Sequence, residues 1–187
     1  MIVLYVLLIL CSISALGSLW GEANAATIDC DSKTSSSQYC EGTKGGDVMN
    51  ADDGTHVIKG LGGDDIIVSG NEWNDLYGNE GNDQITGGDR DDDIFGGPGD
   101  DDIVGGNQGD ALSGQTGDDK MDGGPGGDGM YGNLGADDLK GGSGDDSISH
   151  NGVLNPELPD GSKDYVDCGP GNDQVWINAA EGDSAVN

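Results

Sequence analysis

GGPGDDDIV, at Gly96–Val104, and GGSGDDSIS, at Gly141–Ser149, are the same sentence written twice. Each opens on glycine, carries aspartate at its sixth place, and has a single aliphatic residue at its eighth. Working outward from them, the chain divides into blocks of nine without an insertion from Gly42 to Ser149, twelve blocks in one frame. The eighth place holds Met49, Ile58, Ile67, Leu76, Ile85, Ile94, Ile103, Leu112, Met121, Met130, Leu139 and Ile148. The sixth is Asp in ten of the twelve, with His56 and Asn74 as exceptions, and the fourth is Gly in nine, with Glu72, Arg90 and Gln108 as exceptions. A flexible Gly/Asp linker has no reason to hold an apolar residue at one phase over that length.

The columns translate into structure. One apolar residue between two outward-facing neighbours makes a three-residue strand with one inward side chain. The glycine-rich stretch before it supplies a turn that needs φ > 0 at several places. A strand plus a turn reverses the chain, so two blocks complete a coil of eighteen residues. Stacking such coils with parallel pairing predicts an all-β, right-handed parallel β-roll (a β-solenoid) of nonapeptide repeats, six coils and about 29 Å long. The eighth-place residues form an aliphatic ladder too thin to hold the roll alone.

Composition says what else is required. Thirty-six acidic residues face seven basic ones for a net charge of -29, glycine supplies 37 residues and Phe one. Low hydrophobicity with high net charge leaves a chain disordered unless something neutralises the carboxylates. A multivalent cation does so; nucleic acid and anionic membrane surfaces are repelled.

The pattern G-G-x-G-x-D-x-U-x resembles the repeats-in-toxin (RTX, hemolysin-type) calcium-binding repeat of exported prokaryotic proteins. The resemblance implies Ca²⁺ as cofactor, each ion held between turns of adjacent coils by sixth-place carboxylates and turn carbonyls. Calcium suits such a site because it takes six to eight oxygen ligands and accepts carbonyls beside carboxylates. Alternate blocks fall on opposite edges. One edge collects Asp47, Asp65, Asp83, Asp101, Asp119 and Asp137, each with glycine at its fourth place; the other collects His56, Asn74, Asp92, Asp110, Asp128 and Asp146. A complete calcium row is expected on the first edge and a partial row on the second, absent near His56. Tyr77 and Phe95, at the ninth place of neighbouring coils on the second edge, form either a ligand-binding strip or a cross-strand pair.

The ends differ. Ile2–Trp20 is uncharged and largely apolar, and Ala23-Asn24-Ala25 offers small residues for cleavage, so residues 1–25 are expected to be a signal peptide. No Lys or Arg precedes Lys33, which leaves an uncleaved anchor as the alternative. Residues 26–41 are expected to cap the roll, with Cys30 and Cys40 the natural disulfide pair of an exported chain; the alternative is that all three cysteines beyond the leader are free. Cys168 is then free or paired with a residue outside this sequence. After the roll of residues 42–149, a loop is predicted over 150–158, terminal repeats over 159–176, and a C-terminal cap over 177–187. Asp164 and Asp173 lie in those terminal repeats, and Asp173 is expected to extend the complete edge.

These features predict a secreted calcium-binding protein that folds on Ca²⁺, with calcium-stiffened surface-layer, matrix or adhesive material as the alternative. Enzymatic activity is not expected: no H-E-x-x-H, G-x-S-x-G or P-loop occurs. Asp89–Asp93 begins like an EF-hand, but Ile94 stands where that loop needs glycine. No nucleic-acid partner is expected, no membrane association once the leader is removed, and a protein or glycan partner is not legible.

Overall fold

The computed structural model describes residues 25–30, 39–51, 57–150, 160–178 and 182–186. The expected leader (except Ala25), His56 and the loop predicted at 150–158 (except His150) lie outside them. Seventeen strands follow one another along these residues. They are β1 (Thr27–Asp29), β2 (Tyr39–Glu41), β3 (Val48–Asn50), β4 (Val57–Gly62), β5 (Ile66–Val68), β6 (Asp75–Glu80), β7 (Gln84–Gly88), β8 (Asp93–Pro98) and β9 (Asp102–Gly106). The chain continues through β10 (Ala111–Thr116), β11 (Lys120–Pro125), β12 (Gly129–Leu134), β13 (Asp138–Ser143), β14 (Ser147–Ser149), β15 (Tyr165–Asp167), β16 (Gln174–Trp176) and β17 (Ser184–Val186).

Odd-numbered strands form one nine-stranded sheet and even-numbered strands an eight-stranded one, each in sequence order. Every pairing is parallel; Ile85 lies opposite Ile103 and Leu112 opposite Met130, each eighteen residues apart. This is the all-β parallel β-roll that the nine-residue frame predicts. Each strand turns one side chain inward, and all twelve eighth-place residues are buried, joined by Val166 at the C-terminal end.

The roll is longer than twelve blocks require. Ile28 pairs with Met49 and Cys40 with Ile58, so the described parts of the segment expected as an N-terminal cap add one strand to each sheet. Cys30 and Cys40 are joined by a disulfide with their Cα atoms 5.8 Å apart. At the other end Val166 pairs with Leu139, Val175 with Ile148, and Ala185 with Val166. Residues 184–186, in the segment expected as a C-terminal cap, are therefore one more rung. Trp176 lies in β16, the last strand of its sheet, and stays 43% exposed.

Glycine is required where coils touch. At the fourth place, Gly117 has φ +131°, and a Cβ there would collide with the carbonyl oxygen of Gly99 on the coil before. At the first place, a Cβ on Gly96 would strike Oδ2 of Asp101. These glycines let backbone approach backbone and keep space open beside the aspartates.

On the outer face, the Tyr77 and Phe95 rings stack with centroids 5.1 Å apart and planes 9° from parallel. Lys59 Nζ lies 5.3 Å from the centre of Tyr77 and 5.5 Å from that of Tyr39. Of the two readings open for Tyr77 and Phe95, the rings form the cross-strand pair.

Candidate metal-binding rows

The sixth-place residue sits immediately before an inward-facing strand, so stacking in register superposes these aspartates. Each then splits its two oxygens between two tasks. Oδ1 accepts the backbone N–H of the aspartate one coil earlier: Asp65 N–H reaches Asp83 at 2.8 Å, Asp83 reaches Asp101 at 2.8 Å, Asp101 reaches Asp119 at 2.9 Å, and Asp119 reaches Asp137 at 3.0 Å. The second edge repeats this from Asn74 through Asp92, Asp110, Asp128 and Asp146, at 2.8–2.9 Å.

Oδ2 has no such partner. Ten aspartates carry a buried Oδ2 without a hydrogen bond: Asp65, Asp83, Asp101, Asp119, Asp137 and Asp164 on one edge, and Asp92, Asp110, Asp128 and Asp146 on the other. Burying a carboxylate oxygen in this way is costly unless a cation or a proton satisfies it. Burial accordingly pushes the Asp65, Asp101, Asp110 and Asp119 carboxyls up to about 7 and that of Asp137 up to about 8, helped by neighbouring carboxylates and opposed by the N–H that each accepts. Asp92, Asp128 and Asp164 rise to about 6 from the same leading cause. Asp83 and Asp146 are raised as well, chiefly by burial.

The edges fade at identifiable residues. At the N-terminal end, both oxygens of Asp47 are engaged: Oδ1 accepts from Ala26 N–H at 2.7 Å and Oδ2 from Thr43 N–H at 2.5 Å. On the second edge, Asn74 donates its amide to the Glu72 carbonyl and to Asp92 Oδ1. An amide there does by hydrogen bonding what positive charge would do elsewhere.

Three placements depart from the sequence reading. Asp173 does not extend the complete edge; its Oδ1 accepts Asp146 N–H at 3.0 Å, which puts it on the second edge. Asp164 takes the place on the first edge, accepting Asp137 N–H at 2.8 Å. Both bonds span 27 residues, eighteen plus nine, so between His150 and Asp164 the chain carries nine residues more than a coil needs, which the frame counts as a rung. The third is Asp183, absent from the expected ligands: its Oδ1 accepts Asp164 N–H at 3.1 Å across nineteen residues. One inserted residue had hidden it from the nine-residue frame, although the Asp-Ser-Ala-Val run at 183–186 carries the signal.

The class that these features define is an acidic β-solenoid with two carboxylate-lined edges. A family model of the RTX calcium-binding nonapeptide repeat matches residues 41–72, 77–112, 95–130, 104–139 and 131–149, more than half of the chain, and the chain belongs to that family. No curated protein matches it. The family is one of structural calcium-binding repeats, typically extracellular. The residues present fit calcium: the donors are oxygens, and the buried Oδ2 atoms lie in rows without hydrogen-bond partners.

Proposed function

We propose that this is a secreted, non-enzymatic protein that binds calcium along both edges and folds as it does so. The observation that carries this reading is the ten buried Oδ2 atoms without hydrogen bonds. Asp65, Asp83, Asp101, Asp119, Asp137 and Asp164 would hold the longer row, and Asp92, Asp110, Asp128 and Asp146 the shorter. Asp47 and Asp173, also expected as ligands, would contribute at the row ends. Bound calcium supplies positive charge between superposed carboxylates; the chain supplies the register that superposes them.

Folding on calcium follows from the charge. At -29, the chain repels itself, and its aliphatic ladder is one residue wide per strand. Coupling ion binding to folding would defer compaction until the chain meets the calcium of an external medium. The Cys30–Cys40 disulfide favours an oxidising compartment and so supports export. Among the described residues no helix is long and apolar enough to cross a membrane.

Far-UV circular dichroism during a calcium titration tests the reading. A cooperative gain of strand signal at about 10⁻⁴–10⁻³ M calcium is expected. A spectrum unchanged at millimolar calcium would reject it.

A further inference from the structure

The longer row ends in different chemistry. On this edge the first place of each coil is glycine, at Gly42, Gly60, Gly78, Gly96, Gly114 and Gly132, and a Cβ at Gly78, Gly114 or Gly132 would strike the Oδ2 of Asp83, Asp119 or Asp137. In the coil that carries Asp164, His150 holds that place. Its N–H donates to the Trp176 carbonyl at 3.2 Å, just as Gly42 donates to Lys59, and its carbonyl accepts Asn133 N–H at 2.7 Å.

A side chain at this position enters the row of carboxylates. His150 Nδ1 lies 3.5 Å from Asp164 Oδ2 and 3.9 Å from Asp183 Oδ2, and all three side chains are fully buried. One ligand atom from each residue falls within 4.8 Å of the others. Asp164 Oδ2 makes no hydrogen bond, while Asp183 Oδ2 accepts Asn178 N–H at 2.8 Å.

We propose that His150, Asp164 and Asp183 form a site for a borderline transition-metal ion of the Zn²⁺ class, closing the longer row with a metal other than calcium. Calcium is a hard ion that takes oxygen ligands, and imidazole suits zinc, copper, iron and nickel. Tetrahedral zinc with arms of about 2.0–2.1 Å sets its ligand atoms roughly 3.3–3.5 Å apart. The distances from His150 meet that spacing after shifts of a few tenths of an ångström. A fourth position remains for water. The site depends on these three side chains, whether or not calcium fills the rest of the row.

The test is a Zn²⁺ titration of the full chain in a roughly thousandfold excess of calcium, by equilibrium dialysis with both metals counted. One retained Zn²⁺ per chain is expected, and Co²⁺ in its place should give the intense visible absorption of a tetrahedral centre. His150→Gly restores the residue of the other coils and should keep the calcium-loaded strand signal while losing the Zn²⁺. Asp183→Asn keeps the Oδ1 acceptor and should weaken Zn²⁺ at least tenfold. Cys168→Ser and His56→Asn, which remove other soft ligands, should leave it unchanged. No retained Zn²⁺ in the parent chain, retention in His150→Gly, or loss in Cys168→Ser or His56→Asn would overturn the assignment. Because calcium is counted in the same samples, failure of this site is distinguishable from failure of the calcium reading.

Discussion

Asp101 donates its backbone N–H to Oδ1 of Asp119, one coil further along, at 2.9 Å, while Oδ2 of that same carboxylate is buried without a hydrogen bond. One oxygen ties coil to coil and the other is left for charge. Repeated along both edges, this division makes the same residue a structural rung and a candidate ligand.

Amide and alanine substitutions separate the two tasks. Asp101→Asn keeps an Oδ1 acceptor for Asp83 N–H but removes the charge, so bound calcium should fall with little other change. Asp101→Ala also strands that buried N–H and should cost about 1–3 kcal/mol more in denaturant melts at saturating calcium. Equal stability of the two variants contradicts the division.

The two edges should also differ. Asp101→Ala is expected to lower calcium stoichiometry, whereas His56→Ala, in the column where aspartate is missing, should not. Equal losses measured by dialysis would sink the distinction between edges.

Gly117→Ala tests the contact between turns. With φ +131° and the Gly99 carbonyl in the way, the substitution should destabilise the roll by at least about 1–2 kcal/mol. Gly161→Ala, at φ +92° with open space around it, isolates the backbone cost alone and should be the milder change in the same melts.

The roll should depend more heavily on calcium as pH rises. Burial lifts Asp101 and Asp119 from 3.8 to about 7 and Asp137 to about 8. Between about pH 4 and 8 the folded chain therefore holds more protons than the unfolded chain, so the calcium-free roll loses stability as pH rises through that window. The unfolded chain has these carboxyls ionised already, so what grows with pH is the roll's need for calcium. Circular dichroism of the calcium-free chain should show less strand signal at about pH 7.5 than at about pH 5.5, and millimolar calcium should remove the difference. A calcium-free signal independent of pH contradicts the account.

Most of the roll was legible because periodicity is a global signal. Twelve residues at one phase, all aliphatic or Met, from Met49 to Ile148, fix strand, turn and inward face together. Where the phase carried no meaning, the reading failed. Nine surplus residues between His150 and Asp164 preserve the frame by length, yet they place Asp164 and Asp173 on the opposite edges from those the frame implies. One extra residue before Asp183 concealed a rung that the backbone still forms. His150 could not be read as a ligand, because only the fold brings it beside Asp164 and Asp183.

Calcium stoichiometry of the folded chain, measured by equilibrium dialysis, tests the central claim most directly. Six consecutive Oδ2 atoms on one edge leave five intervals and four on the other leave three, so about eight ions per chain are expected. A folded roll that binds none, or only one or two, would contradict it.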